Sequence, residues 1–242
     1  MIRLVTISFD DGHPLDLKAA ELLNKYGLNA TFYIPVRSIE DGHLTKSDIN
    51  FLASQFEIGS HTKTHAVLKG LNFAKAREEI YESKEFWEDL LSKPVSSFCY
   101  PKGKYDKQAS DLVREAGYLG ARTARWLSSD PGKNAYAYHP TMHLYPHRFH
   151  INLAHMTKWM DVKSIARYVQ KGFPEKVFAL AQMSINLLLE KGGTLHFWGH
   201  SWELENCGLW SEVEDIFKML ASYNTELQFV NNTQILKALY WT

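Results

Sequence analysis

Short apolar segments alternate with amphipathic helical stretches along most of the 242-residue chain. Residues 2–9 form a nearly continuous apolar run with β-branched side chains, and residues 15–26 repeat apolar positions at helical spacing. The same alternation continues, and it predicts strands at residues 2–9, 30–34, 56–60, 97–100, 118–121, 194–198 and 227–230. Strands that alternate with helices favour a mostly parallel sheet or barrel covered by helices, so we expect an α/β fold.

Local signals mark where several of the predicted helices begin. Thr45, followed three residues later by Asp48, is typical of a helix N-terminus, and Asn72 is a second candidate N-cap. A further strong helix is predicted to begin at Pro174. Because the chain shows no internal repeat or linker, we predict a single domain over residues 1–242.

The alternation breaks down between residues 126 and 157, where prolines interrupt the pattern. Five of the eleven histidines lie in this stretch: His139, His143, His147, His150 and His155. Because irregular segments of this length are uncommon unless they serve a function, we predict an insertion of loop and helix over the mouth of the barrel. Two interpretations of its histidines stay open, substrate contacts from His139, His143 or His147 and scattered surface positions.

The composition narrows the class of function. Lys and Arg together number 27, as do Asp and Glu, and a chain without charge excess lacks the basic surface that nucleic-acid backbones require. Two cysteines, Cys99 and Cys207, cannot form a disulfide framework and suit a reducing compartment. No apolar run approaches the roughly 20 residues of a membrane span, and residues 2–9 leave no room for a signal peptide. We therefore predict a cytoplasmic protein without a nucleic-acid partner or a membrane span.

Chemically capable side chains follow several of the predicted strands. In parallel α/β folds the carboxyl ends of the strands meet on one face, and the chemistry gathers there. Asp10 and Asp11 follow the first strand, where two carboxylates are costly unless they are paired or bind a cation. His61 and His65 follow the third strand, and on a helical turn two imidazoles four residues apart can reach one divalent ion. Taken alone, a solvated Asp-Asp-Gly turn and a pair of surface histidines are the alternative explanations.

Further candidates lie in the sixth predicted strand and directly after it. Histidine titrates near neutral pH, so His200 can supply a proton to a leaving group. Trp198 and Trp202 are predicted to wall the site and to stack on a sugar ring. His196 is expected to be a hydrogen-bonded core histidine, whereas Glu203 either orients His200 or faces the solvent.

Two of these motifs resemble those of a known family. The sequence SFDDG at residues 8–12 and the sequence HTKTH at residues 61–65 resemble the first two motifs of the polysaccharide deacetylases, the NodB-homology group or carbohydrate esterase family 4. The segment FCYPKG at residues 98–103 resembles the third motif in its Pro and Gly, and residues 199–200 look like the final motif. This resemblance implies a distorted (β/α) barrel of about seven parallel strands.

The resemblance also implies a role for each matching residue. Asp11, His61 and His65 would hold one divalent metal ion, with Zn²⁺ favoured and Co²⁺, Ni²⁺ or Mn²⁺ as alternatives. Asp10 would be the general base that takes a proton from the attacking water. His200 would protonate the departing group. A carbohydrate that carries an acetyl group would be the substrate.

The third motif departs from the family pattern. Its turn contains Pro101 and Lys102, and the resemblance implies that the backbone N–H of Lys102 helps to hold the oxyanion. The arginine that usually contacts the catalytic aspartate is replaced by Cys99, whose thiol cannot substitute for a cation. Arg122, at the end of the fifth predicted strand, is our candidate partner for Asp10, and a structural or solvated arginine is the alternative.

The resemblance implies a metal-dependent hydrolase that removes an acetyl group from a carbohydrate, an enzyme acting on carbon–nitrogen bonds other than peptide bonds. An N-linked acetyl group is favoured over an O-linked one. A deformylase, or another amide or imide hydrolase on the same fold, is the first alternative. A non-catalytic sugar-binding protein is the second, with Trp126, Trp198 and Trp202 as stacking surfaces.

Overall fold

One parallel sheet forms the centre of the molecule. We describe it from a computed structural model that covers residues 1–127, 130–158, 162–170, 172 and 176–241. The strands in these residues are β1 (Arg3–Asp10), β2 (Thr31–Ile34), β3 (Glu57–Ser60), β4 (Ser97–Cys99), β5 (Gly120–Arg122), β6 (Met142–His143), β7 (Gly193–Gly199) and β8 (Gln228–Phe229). They pair in the order β5-β4-β3-β2-β1-β7-β6, with the short β8 also beside β1. The seven strands of this path curl into a half-barrel, which confirms the predicted fold class.

Helices surround this sheet. They are α1 (Asp16–Lys25), α2 (Arg37–Glu40), α3 (Lys46–Gln55), α4 (Phe73–Leu91), α5 (Lys107–Glu115), α6 (Phe149–Lys158), α7 (Val162–Gln170), α8 (Val177–Lys191), α9 (Ser201–Asn206), α10 (Trp210–Ala221) and α11 (Asn232–Tyr240). Thr45 and Asp48 form a capping box at the start of α3, and Asn72 caps α4, as predicted. The helix start predicted at Pro174 lies outside the described residues. No helix within the described ranges is both long and apolar enough to cross a membrane.

Strand β1 lies in the middle of the sheet and carries the first candidate residues. It pairs with β2 on one side and β7 on the other, so every residue after Arg3 is buried. The register places Asp10 beside Tyr33 and Phe9 beside Gly199. The carboxyl ends of β1 and β7 therefore adjoin, which brings residues near position 10 next to residues near position 200.

The histidine-rich stretch contributes a strand that the sequence analysis does not identify. Strand β6 pairs in parallel with β7, and Met142 lies beside Phe197 while His143 lies beside Trp198. The strand has only two residues, which is too short to show an alternation of apolar and polar positions. Part of the predicted insertion is therefore the edge of the sheet.

Candidate active site

The turn after β1 directs two adjacent carboxylates to different partners. Asp11 has a φ of 81° and Gly12 a φ of 64°, both in the left-handed region. A Cβ on Gly12 would overlap Ile34 and Ser38, so only glycine fits this close approach. The Ser38 hydroxyl donates a hydrogen bond of 2.7 Å to the carbonyl of Asp11 and holds the turn. The side chain of Asp10 consequently points into the half-barrel. The side chain of Asp11 points toward the carboxyl ends of the neighbouring strands.

The segment that carries the two imidazoles is an irregular loop, and the predicted helical turn is wrong. Thr62 and His65 have positive φ values of 66° and 62°, which no α-helix contains. The fully buried carboxylate of Glu79 accepts hydrogen bonds from the backbone N–H and the hydroxyl of Thr64, at 2.8 and 2.7 Å. These contacts fold the loop so that the rings of His61 and His65 lie 4.8 Å apart between their centroids.

The predicted metal ligands converge. One carboxylate oxygen of Asp11, Oδ1, lies 3.1 Å from Nε2 of His65 and 3.6 Å from Nε2 of His61. The other ring nitrogen of His61, Nδ1, lies 2.8 Å from the carbonyl oxygen of Cys99 and must donate to it, so in the neutral ring Nε2 carries the lone pair. Asp11 Oδ1 is buried and has no hydrogen bond of normal geometry within the described residues. Two imidazole nitrogens around such an oxygen fit a divalent ion such as Zn²⁺.

The electrostatics of this triad keep its carboxylate ionised. Burial disfavours the charged form, but the adjacent imidazoles of His61 and His65 outweigh it and hold the pKa of Asp11 well below its usual range. The indole N–H of Trp202 donates a hydrogen bond of 3.0 Å to the second oxygen of Asp11, Oδ2. Asp11 is therefore available as an anionic ligand, with Oδ2 held by Trp202 and Oδ1 facing the imidazoles.

Asp10 forms a buried ion pair with Arg122, the partner that the sequence analysis suggests. The guanidinium donates to both carboxylate oxygens of Asp10, and these side chains are only 1% and 5% exposed. A second guanidinium nitrogen donates to the carbonyl of Thr123 at 3.0 Å. The Cys99 thiol lies 3.7 Å from Asp10 and acts only as a weak donor. The cation that contacts Asp10 is therefore Arg122 of β5. The thiol of Cys99 does not replace it.

His200 stands between two carboxylates. Its Nδ1 lies 2.5 Å from Oε2 of Glu203, and its Nε2 lies 3.7 Å from Asp11 Oδ2. Burial lowers the pKa of the imidazole, but the hydrogen bond to Glu203 and the charges of Asp10 and Asp11 outweigh it and raise that pKa to about 8. The ring is therefore positioned as a proton donor, with Nε2 directed toward the triad.

Glu203 also contacts His143, for which the sequence analysis leaves open a substrate contact or a surface position. Nε2 of His143 lies 3.2 Å from Glu203 Oε2, and its Nδ1 lies 3.0 Å from Nε2 of His147. Burial raises the pKa of Glu203, but its contacts with His143 and His200 outweigh it and lower that pKa to about 2. The surface interpretation is wrong for His143, which is 8% exposed. Only the pairing of β6 with β7 brings it here.

Two further histidines from the sequence analysis, His139 and His196, contact other side chains of the protein. His139 lies 3.5 Å from a guanidinium nitrogen of Arg125. His196 is fully buried in β7, where its Nε2 lies 2.8 Å from the Ser8 hydroxyl. This is the hydrogen-bonded core position that was expected for His196.

The two tryptophans differ in what they offer a substrate. Trp198 is 6% exposed, its ring stacks on His143 at 4.0 Å between centroids, and Arg122 lies 4.9 Å from its centre. The prediction that Trp198 stacks on a sugar is therefore corrected, because protein groups already enclose this ring. Trp202 instead lines a groove of about 290 Å³ together with Asp11 and His65.

The turn after β4 contains the other two predicted substrate residues. Pro101 is buried, whereas Lys102 is exposed and has a φ of 56°. Gly103 follows with a φ of 63°, and a Cβ there would overlap the backbone of Ala124. The role of the Lys102 N–H toward an oxyanion stays a prediction.

The chain resembles known proteins in sequence and in fold. The family model described as polysaccharide deacetylase matches residues 2–121. Residues 2–121 belong to the polysaccharide deacetylase family. A curated relative, "Putative polysaccharide deacetylase YxkH" of Bacillus subtilis (strain 168), is 29% identical over 140 residues. That match covers 57% of this chain and 50% of the relative, so this chain spans about half the length of the relative.

Solved structures share the fold. A "putative polysaccharide deacetylase" from Mycobacterium smegmatis has a TM-score of 0.68 at 13% identity, over 98% of this chain and 90% of that one. A family 4 acetyl xylan esterase from Clostridium thermocellum, in complex with a cobalt ion, has a TM-score of 0.61 at 17% identity, over 98% and 91% of the two chains. The deacetylase fold thus extends beyond the family match, into the part of the chain that carries Arg122, His143 and His200.

Proposed function

We propose that this chain is a metal-dependent hydrolase that removes an acetyl group, N-linked in preference to O-linked, from a carbohydrate. The single observation that carries the proposal is the buried Oδ1 of Asp11 between the Nε2 atoms of His61 and His65. The deacetylase family of residues 2–121 supports the same reaction class. Zn²⁺ is the proposed ion, because two imidazoles and one carboxylate are a common zinc donor set. A cytoplasmic location stays a prediction of the sequence.

The proposed reaction begins with proton transfer to Asp10. When held by Asp11, His61 and His65, the divalent ion would polarise the acetyl carbonyl and acidify the attacking water. Asp10 accepts the proton of that water as it attacks the carbonyl carbon. Arg122 holds both carboxylate oxygens of Asp10 in a buried setting, which fixes the base in one orientation.

The second half of the reaction needs an acid, and His200 supplies it. Its Nδ1 is held by Glu203, which leaves Nε2 as the nitrogen that donates a proton to the departing amine. The backbone N–H of Lys102 is proposed to stabilise the tetrahedral oxyanion. Trp202, half-buried in the groove beside Asp11, supplies the flat surface against which a sugar ring packs.

The two adjacent carboxylates allow a matched experiment. We expect acetate release from N-acetylglucosamine oligosaccharides, its loss on treatment with a chelator and its return when metal is restored. Asp11→Asn should lose both bound metal and turnover, whereas Asp10→Asn should keep the metal and lose turnover. Elemental analysis gives the metal content, and thermal unfolding verifies that each variant is folded.

Specific outcomes would contradict the proposal. If Asp11→Ala and His61→Ala both retain the metal content of the wild-type protein, the metal site is wrong. Faster release of formate from formylated sugars than of acetate would favour the deformylase alternative. Sugar binding that survives metal removal and Asp10→Asn, without any turnover, would favour a binding protein.

A further inference from the structure

A second cluster of metal-binding side chains lies on the Nδ1 side of His200. Glu203 Oε2 is 2.5 Å from His200 Nδ1 and 3.2 Å from His143 Nε2. His143, His200 and Glu203 each offer one ligand atom, and these atoms lie within 4.8 Å of one another. The ligand atoms of Asp11, His61 and His65 also lie within 4.8 Å of one another. The chain therefore brings two sets of two imidazoles and one carboxylate to the same end of the sheet, and the ring of His200 lies between them.

We propose that His143 Nε2, His200 Nδ1 and Glu203 Oε2 form a second, inhibitory binding site for Zn²⁺. Two imidazole nitrogens and one carboxylate oxygen are a donor set that zinc uses in proteins. Tetrahedral bonds of about 2.1 Å place neighbouring ligand atoms about 3.4 Å apart. The contact between Glu203 and His143, at 3.2 Å, has nearly this spacing, whereas the contact between Glu203 and His200, at 2.5 Å, must lengthen by about 0.9 Å to reach it.

The scaffold around His143 holds its ring in a ligating orientation. The backbone is fixed by the pairing of β6 with β7, and the ring lies flat against Trp198, at 4.0 Å between centroids and 9° between planes. Its Nδ1 lies 3.0 Å from Nε2 of His147, which gives the ring nitrogen that does not face Glu203 a hydrogen-bond partner. Histidine ligands in metal sites almost always have such a partner, which sets their tautomer. The side chains of His143, His200 and Glu203 are 7%, 18% and 17% exposed.

Zinc at this site replaces one proton. The ion bonds to Nδ1 of His200, Nε2 of His143 and Oε2 of Glu203, and the proton between His200 and Glu203 leaves to the solvent. The neutral ring of His143 gives up the proton on Nε2 and takes one on Nδ1, where Nε2 of His147 accepts it, so one proton is released in all. The ring of His200 then keeps a proton on Nε2 alone and can no longer become an imidazolium cation. A metal-bound neutral imidazole is a much weaker acid than imidazolium, so proton donation to the leaving group stops. This inhibition rests on the proposed function, whereas the binding of zinc does not.

Metal binding is tested first, because it does not depend on activity. The full chain is freed of metal and titrated with Zn²⁺, with calorimetry for affinity and elemental analysis for stoichiometry. We expect two equivalents for the wild-type protein, one for His143→Gln and one for Asp11→Asn. His150→Gln, which changes an exposed histidine of the same stretch, should keep two equivalents. Saturation of the wild-type protein at one equivalent, or two equivalents in His143→Gln, would overturn the second site.

The pattern of losses distinguishes this proposal from the proposed function. If Asp11→Asn keeps every equivalent while His143→Gln loses one, the first site fails and the second stands. His147→Gln should weaken the second equivalent by about 10–100-fold, because it removes the partner of the His143 ring. If His143→Gln is too unstable for the titration, the measurement is repeated with His143→Phe, which keeps an aromatic ring against Trp198.

Inhibition is tested second, in the enzyme loaded with its first equivalent. Further Zn²⁺ should lower the deacetylation rate of the wild-type protein. The zinc concentration for half-inhibition should rise more than about tenfold in His143→Phe, each variant being compared with its own rate before the addition. Equal zinc sensitivity of the wild-type protein and His143→Phe would show that inhibition arises elsewhere.

Discussion

Arg122 contacts both carboxylate oxygens of Asp10, although the two residues lie 112 positions apart and end the strands β5 and β1. Three strands, β2, β3 and β4, separate them in the sheet. In a flat sheet the backbones of β5 and β1 would lie about 19 Å apart, beyond the combined reach of the two side chains, since neighbouring strands are about 4.8 Å apart. The ion pair therefore spans the concave face of the half-barrel and depends on its curl.

Loss of this ion pair should strongly destabilise the protein. Arg122→Leu leaves the carboxylate of Asp10 buried without a cation, and we expect the free energy of unfolding to fall by about 3–5 kcal/mol. Urea denaturation measures the change. The double variant Asp10→Asn with Arg122→Leu should recover part of the loss, because neither charge is then buried. A single variant as stable as the wild-type protein would show that the pair is not the buried contact described here.

Glu79 should control metal affinity from a distance. Its buried carboxylate holds Thr64, and through it the loop that places His65. Glu79→Gln offers an amide NH₂ to groups that already donate, so we expect metal affinity to fall by about 10–100-fold. Competition with a chelator of known affinity measures this. Glu78→Gln changes the neighbouring partly exposed carboxylate, and it should bind metal as the wild-type protein does.

Gly12 should tolerate no side chain. Gly12→Ala and Gly70→Ala both place alanine at a positive φ, at a cost of roughly 1–2 kcal/mol each. Only at Gly12 would the new methyl group also overlap Ile34 and Ser38, whereas Gly70 has open space around it. We expect Gly12→Ala to be less stable than Gly70→Ala by a further 1–3 kcal/mol or so in urea denaturation. Equal losses of stability in Gly12→Ala and Gly70→Ala would mean that the turn after β1 can shift to accommodate the methyl group.

Glu203 should set the protonation of His200. Burial lowers the pKa of His200 in the metal-free protein. The contact with Glu203, together with the charges of Asp10 and Asp11, outweighs burial and raises that pKa to about 8. The proton is therefore bound more tightly in the folded protein, and its contribution to stability is full below about pH 6.5 and lost as the pH rises through 8. Glu203→Gln should lower the pKa of His200 and flatten this dependence. NMR titration of the imidazole measures the pKa, and an unchanged value would contradict the assignment.

Asp16 should make the protein less stable at alkaline pH. It is fully buried, its carboxyl accepts a hydrogen bond of 2.6 Å from Ser201, and burial raises the pKa of Asp16 to about 8. Folding therefore favours the protonated form, and this contribution is present below about pH 4 and lost as the pH rises through 8. Asp16→Asn should be less sensitive to pH than the wild-type protein in urea denaturation between pH 5 and pH 9. Asp89→Asn, an exposed change, should keep the wild-type slope.

Much of the fold is predictable because its signals are local. The apolar run of β1, the capping pattern at Thr45 and the cap at Asn72 each depend on neighbouring residues, so they can be identified from short stretches of sequence. The triad of candidate metal ligands is predictable for a related reason, since Asp11 and the His61–His65 pair follow strands whose carboxyl ends lie at the same edge of the sheet. The sequence determined these elements without reference to the rest of the chain.

Tertiary structure decided what local pattern does not encode. The left-handed loop of His61 and His65 is held by Glu79, the ion pair of Asp10 depends on the curl of the sheet, and His143 reaches Glu203 only through the pairing of β6 with β7. Each of these contacts joins residues from separate elements. Side-chain positions of this kind follow from how the sheet bends and which strands pair, and neither property is carried by the spacing of residues along the chain.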